Sequence, residues 1–151
     1  YNQAVKLGEA GKIQESLNLL NQIKGNYAKA KTLYDSMNSF HKKVSLWLGT
    51  WNHRGTVNGE KTTYYITFSE VLYKGEPCIK IKDMNNKSLG YDVEISSKNH
   101  ITQIEVGKYM IHFKLKNNHN QKLTYTLLEG KKMLRELKYE GVTYKTKYKK
   151  K

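Results

Sequence analysis

Apolar residues recur at three- and four-residue steps up to about Val44 and then, from Leu46 onward, alternate with polar residues between turns. This change of period predicts a helical segment followed by an antiparallel β domain. From Asn2 to about Lys24 the pattern predicts two short helices broken near Gly11, with Ile13, Leu17, Leu20 and Lys24 on one face of the second. Gly8 and Gly11 weaken the first helix and place the break. After Gly25-Asn26 a longer helix is predicted from Tyr27 to about Val44. Tyr27, Ala30, Tyr34 and Met37 form one stripe of it, and Leu33, Phe40 and Val44 lie beside them.

The remainder reads as a meander. Asn58-Gly59 is the sharpest turn signal, because a two-residue type I′ turn needs positive φ at both positions. Further breaks fall at Lys74-Gly75-Glu76-Pro77, Asn85-Asn86, Ser97 to His100, Gly107-Lys108, Asn117 to Gln121, Gly130-Lys131 and Glu140-Gly141. The short spacing leaves no room for crossover helices and predicts up-and-down antiparallel strands. Tyr109, Ile111, Phe113 and Leu115 form an inward row, as do Ile79 with Ile81, and Val142, Tyr144, Thr146 and Tyr148; the lysines between them face out. Lys149-Lys150-Lys151 reads as a frayed tail. Eight or nine strands laid flat would leave exposed edges, so the class is α+β with the meander closing as a barrel, or alternatively a β-sandwich.

Two resemblances accompany this pattern. Gly11-Lys12-Ile13-Gln14-Glu15-Ser16 resembles the turn and second-helix opening of a tetratricopeptide-type repeat, with Ile13 at the usual aromatic position and Ser16 at the usual small one. Tyr27-Ala28-Lys29-Ala30 resembles the start of the next unit. Over about residues 2–45 this likeness implies a helical segment that binds a protein partner, and a single such unit needs neighbours to bury both faces. Gly49-Thr50-Trp51 resembles the G-x-W signature of lipocalin-like barrels; over 46–148 it implies a barrel with Trp51 plugging one end. The division expected is therefore a helical segment at 1–45, a fragment of a longer repeat, and a β-barrel domain at 46–151 with a basic tail.

At 151 residues the chain is long enough for a core of its own, and no apolar run approaches the roughly 20 residues that span a bilayer. The first residues lack a start methionine and a signal-peptide profile, so the chain reads as a piece of something longer. Cys78 is alone, which excludes an internal disulfide and a multi-thiolate zinc site and leaves a small core residue as its reading. The formal charge of +14 invites an anionic partner, yet 25 lysines accompany only Arg54 and Arg135. Planar recognition of phosphate and base edges favours arginine, so specific nucleic-acid recognition is not expected, and composition bias is the first reading of the charge.

Chemistry-bearing residues are scattered. His41, His53, His100, His112 and His119 lack ligand spacing, Asp92 and Glu94 share an outward face, and Ser69, Ser96 and Ser97 lie in no nucleophile turn. No metal, cofactor or catalytic residue is expected. Trp51, Phe68, Phe113 and Tyr125, with Tyr64, could line the barrel interior, either as filling or around a small hydrophobic ligand. Exposed Tyr139, Tyr144, Lys145, Lys147 and Tyr148 could instead meet an anionic polymer or membrane. The expectation is a non-enzymatic binding or interaction module of a larger bacterial protein, with the cell envelope favoured. Its alternatives are a carrier of a hydrophobic ligand and a lysine-rich surface for an anionic partner.

Overall fold

The computed structural model describes residues 1–83, 101–115 and 121–151. Helices α1 (Asn2–Glu9), α2 (Ile13–Ile23) and α3 (Ala28–Val44) precede eight strands: β1 (Gly49–Val57), β2 (Glu60–Tyr73), β3 (Glu76–Asp83), β4 (Ile101–Val106), β5 (Met110–Leu115), β6 (Lys122–Leu128), β7 (Lys132–Tyr139) and β8 (Val142–Lys150). The strands form one sheet in the order β3-β2-β1-β8-β7-β6-β5-β4. The α+β class and the antiparallel meander are as the pattern predicts, and the sheet is curled into a half-barrel. The breaks expected at Asn85-Asn86 and Ser97 to His100, and Asn117 to Asn120 of the break expected at Asn117 to Gln121, fall outside the described residues.

Turn chemistry explains the hairpins. Asn58 and Gly59 both have positive φ (52° and 82°), as the type I′ turn requires. Lys74-Gly75 (51° and 79°) and Glu140-Gly141 (48° and 78°) repeat the geometry, with a non-glycine residue held in the left-handed region at the first position. The break expected over Lys74 to Pro77 is shorter than read: Glu76 and Pro77 belong to β3, where proline is tolerated because β3 ends the strand order.

The chain divides into two compact units, Tyr1–Leu46 with Ser69–Lys80, and Trp47–Phe68 with Ile81–Lys151. In the first, Ala4, Leu17, Leu20, Ala30, Leu33 and Met37 from the three helices bury themselves with Leu72 of β2. Small residues allow this close packing. The Ser16 hydroxyl donates to the Ala4 carbonyl at 2.6 Å, and a Cβ on Gly8 would stand 2.4 Å from a methyl of Leu72. Gly8 is thus where α1 receives β2, rather than merely a weak point of the helix. His41 Nδ1 and Glu70 Oε1, 2.5 Å apart, add a polar link between α3 and β2.

In the second unit the buried rows are Trp51, Ile66, Phe68, Ile81, Ile111, Phe113, Leu123, Tyr125, Met133, Leu137 and Tyr148, with Trp47 ahead of β1. Curl brings distant strands together. Phe68 of β2 and Tyr125 of β6 are four strand spacings apart, about 19 Å in a flat sheet, yet their rings meet edge-on at 5.3 Å. Two expectations fail at strand ends. Tyr109 lies in the turn before β5 and is exposed, and Val142 and Tyr144 are about half exposed, because alternation marks a face but not where that face stops being covered. The C-terminal lysines are not a frayed tail. Lys150 and Lys149 pair with Trp51 and Asn52 of β1, Lys149 also pairs with Lys132 of β7, and the Lys151 amide donates to the Thr50 carbonyl at 2.9 Å.

Candidate anion-binding face

Four of the five aromatic residues expected inside lie in the core, while Tyr64 is half-buried beside His53. Trp51, Phe68, Phe113 and Tyr125 are fully buried. Phe113 and Phe68 both contact the Tyr125 ring, with centroids at 5.9 and 5.3 Å, and Phe68 also meets Trp47 at 5.4 Å. The Trp51 indole donates to the Trp47 carbonyl at 3.0 Å, and Trp47 donates to the Gly107 carbonyl at 3.2 Å. A guest beside these rings would have to displace those contacts. Trp47, which carries no motif, is the member of this cluster that sequence reading missed.

A polar cluster lies in the same interior. Asp83 Oδ2 accepts from the Tyr125 hydroxyl at 2.6 Å and from Arg135 Nε at 2.7 Å, with all three side chains buried. Burial, and next the Asp83 carboxylate, push the Tyr125 hydroxyl well above its ordinary pKa. Burial, the largest single influence on Arg135, would lower its pKa, but the Asp83 carboxylate together with Tyr125 and Tyr148 holds the guanidinium above its usual value. Neither Asp83 nor Arg135 was singled out from sequence as part of a site. No local motif joins residues on strands so far apart in the chain.

The outer face of β5–β8 follows from register. Residues flanking the buried Phe113, Leu123, Tyr125, Met133, Leu137 and Tyr148 must point away from the core. Lys114 of β5 stands opposite Lys122 of β6, and Lys122 stands opposite Lys138 of β7. Lys132 faces Lys149 across β7 and β8, while Leu134 faces Lys147 and Glu136 faces Lys145. On these four strands the outward positions carry seven lysines against the single carboxylate of Glu136. Residues 121–151 hold nine lysines and one arginine against three glutamates, a net +7 that is half of the chain's +14.

Of the residues expected to meet an anionic partner, Lys145 and Lys147 lie on this face, and Tyr144 is exposed on the opposite side of β8. Tyr148 is buried instead, because the register sets it against Met133 in the core row. A cleft of about 250 Å³ opens between β5 and β6, lined by His112, Phe113, Lys114, Lys122, Leu123 and Thr124. His112 Nε2 lies 3.1 Å from Glu105 on β4. Lys150, in the same row of β8 as the buried Tyr148, has its pKa lowered first by partial burial and then by the nearby Lys131.

Among the described residues no group of three His, Cys, Asp or Glu side chains could hold a metal ion. Asp92, Glu94, Ser96, Ser97, His100 and His119 lie outside the described residues. Compared with protein-family models, with curated proteins and with solved structures, the chain matches none.

Proposed function

We propose that this protein is a non-enzymatic binding module whose β5–β8 outer face engages a polyanionic surface. The observation that carries this reading is the cross-strand run Lys114, Lys122, Lys138. Like charges placed directly opposite on neighbouring strands destabilise a sheet, so an anionic partner laid across the row relieves that repulsion. Lysine is a compact, hydrated point charge without the fork geometry of arginine, and so favours charge density over a particular chemical pattern. The helical segment would serve as a protein-docking element. Its resemblance to a tetratricopeptide-type unit is supported by the α1–α2 pair and by the buried Ser16 at the small-residue position. The lipocalin-like reading of the β part rests on Gly49-Thr50-Trp51 and the buried position of Trp51.

Titrating the protein into a labelled heparin fragment at increasing salt tests the reading. Displacement of counterions from a polyanion makes affinity fall steeply with salt, and engagement of three or four lysines should lower it roughly tenfold or more between about 50 and about 200 mM. Absence of binding at the lower salt, or binding that salt leaves unchanged, would count against the proposal.

A further inference from the structure

We infer that the anionic surface is a lipid bilayer, met by the end of the β5–β8 sheet where Met110 and Leu128 of the outer face, and Tyr109 in the turn before β5, stand exposed among lysines. This rests on the preceding reading of the face and narrows its partner. The three side chains keep 56%, 48% and 38% of their surface in water. They share one end of the sheet. The Leu127 amide donates to the Tyr109 carbonyl at 2.8 Å, bringing the turn before β5 against the end of β6, and Met110 pairs with Thr126, two positions from Leu128 on the same face of β6.

Positive charge surrounds them. Lys132 stands opposite Leu128, and Lys149 stands opposite Lys132. The Lys150 amide donates to the Lys131 carbonyl at 3.0 Å, which sets the end of β8 beside the β6–β7 turn. Lys108 Nζ lies 5.2 Å from the centre of the Tyr109 ring.

Both halves of this pattern matter. A hydrated linear polyanion would pair with the ammonium groups and gain little from methionine and leucine. An anionic bilayer takes both: apolar tips enter the boundary between headgroups and acyl chains, tyrosine suits the headgroup level, and each lysine near the surface adds electrostatic attraction. Lysine stems can also lie along the apolar tips while their ammonium groups stay among the headgroups.

The test compares sedimentation with two kinds of vesicle and binding to heparin, using the whole chain. The protein should pellet with phosphatidylcholine vesicles containing about one-third phosphatidylglycerol and stay in solution with phosphatidylcholine alone. The variant carrying Tyr109→Ser, Met110→Ser and Leu128→Ser should lose about tenfold or more in vesicle affinity, since each substitution removes an apolar group that would leave water. Its affinity for heparin should be unchanged, and a circular dichroism spectrum and urea midpoint matching wild type show that the variant is folded. Leu128→Ser alone should lie between the two. Wild-type protein that binds heparin but not the anionic vesicles overturns the bilayer and leaves the polyanion reading standing; protein that binds neither removes both. A triple variant that binds vesicles as well as wild type would show that lysines act alone, and would also overturn the inference.

Discussion

Asp83→Ala is expected to cost about 3–5 kcal/mol of folding stability, read as a lowered urea midpoint with an unchanged slope. The reason is geometric. One carboxylate oxygen of Asp83 serves both the Tyr125 hydroxyl and the Arg135 guanidinium, and all three groups are removed from water. Deleting it takes an ionic partner from a buried cation and the acceptor from a buried hydroxyl, the circumstance in which breaking an ion pair is costly. Asp83 is also the last residue of β3, five strand spacings from β6 in the sheet order, about 24 Å if the sheet were flat. The 2.6 Å bond to Tyr125 therefore fastens the curl itself. Replacing the ion pair as a unit, with Asp83→Leu and Arg135→Met together, should recover much of the loss, because well-packed apolar groups often substitute for a buried pair at little cost. An Asp83→Ala variant within about 1 kcal/mol of wild type would show that the cluster does not hold the sheet.

Alkaline conditions should unfold the protein through the same cluster. The Tyr125 hydroxyl has a folded-state pKa raised well above its ordinary 10.0, first by burial and then by the Asp83 carboxylate. Below pH 10 the folded and unfolded chains both hold this proton, and the stabilisation is complete. Above it the unfolded chain releases the proton while the folded chain keeps it, so the unfolded state binds fewer protons and stability falls with pH. The slope from this one group is about 1.4 kcal/mol per pH unit, continuing until the folded-state pKa is passed. Tyr125→Phe should flatten that slope while lowering stability at neutral pH, since the Asp83 hydrogen bond is lost. Urea midpoints measured at intervals from pH 8 upward distinguish the cases, and equal slopes for the two proteins would show that another group governs alkaline unfolding.

Local chemistry was the part of the fold that could be read from the chain. The first two helices end at the breaks that Gly11 and Gly25-Asn26 mark, and Asn58-Gly59 turns as its residue types demand, because each of these depends on neighbours in sequence. Alternation placed Ile79, Ile81, Ile111, Phe113 and Tyr148 inward for the same reason. Register across strands could not be read that way. The row Lys114, Lys122, Lys138 exists only once three strands are aligned, so the charge looked like a composition bias rather than a surface. Asp83 and Arg135 meet only because the sheet curls, and no local pattern joins them. Gly8 likewise read as a helix weakness until Leu72, far along the chain, was found packed against it. The terminal lysines read as a frayed tail, but backbone pairing to β1 and β7 holds them in the sheet.

The most direct measurement compares two variants with equal loss of charge for binding to a heparin fragment at low salt. One carries Lys122→Gln, Lys138→Gln and Lys145→Gln on the outer β face, and the other carries Lys12→Gln, Lys29→Gln and Lys42→Gln on exposed positions of the helical segment. If the face is the binding surface, the first should lose about tenfold or more in affinity and the second no more than about twofold. Equal losses would mean that only net charge is being sensed, and that the β5–β8 face is not a binding surface.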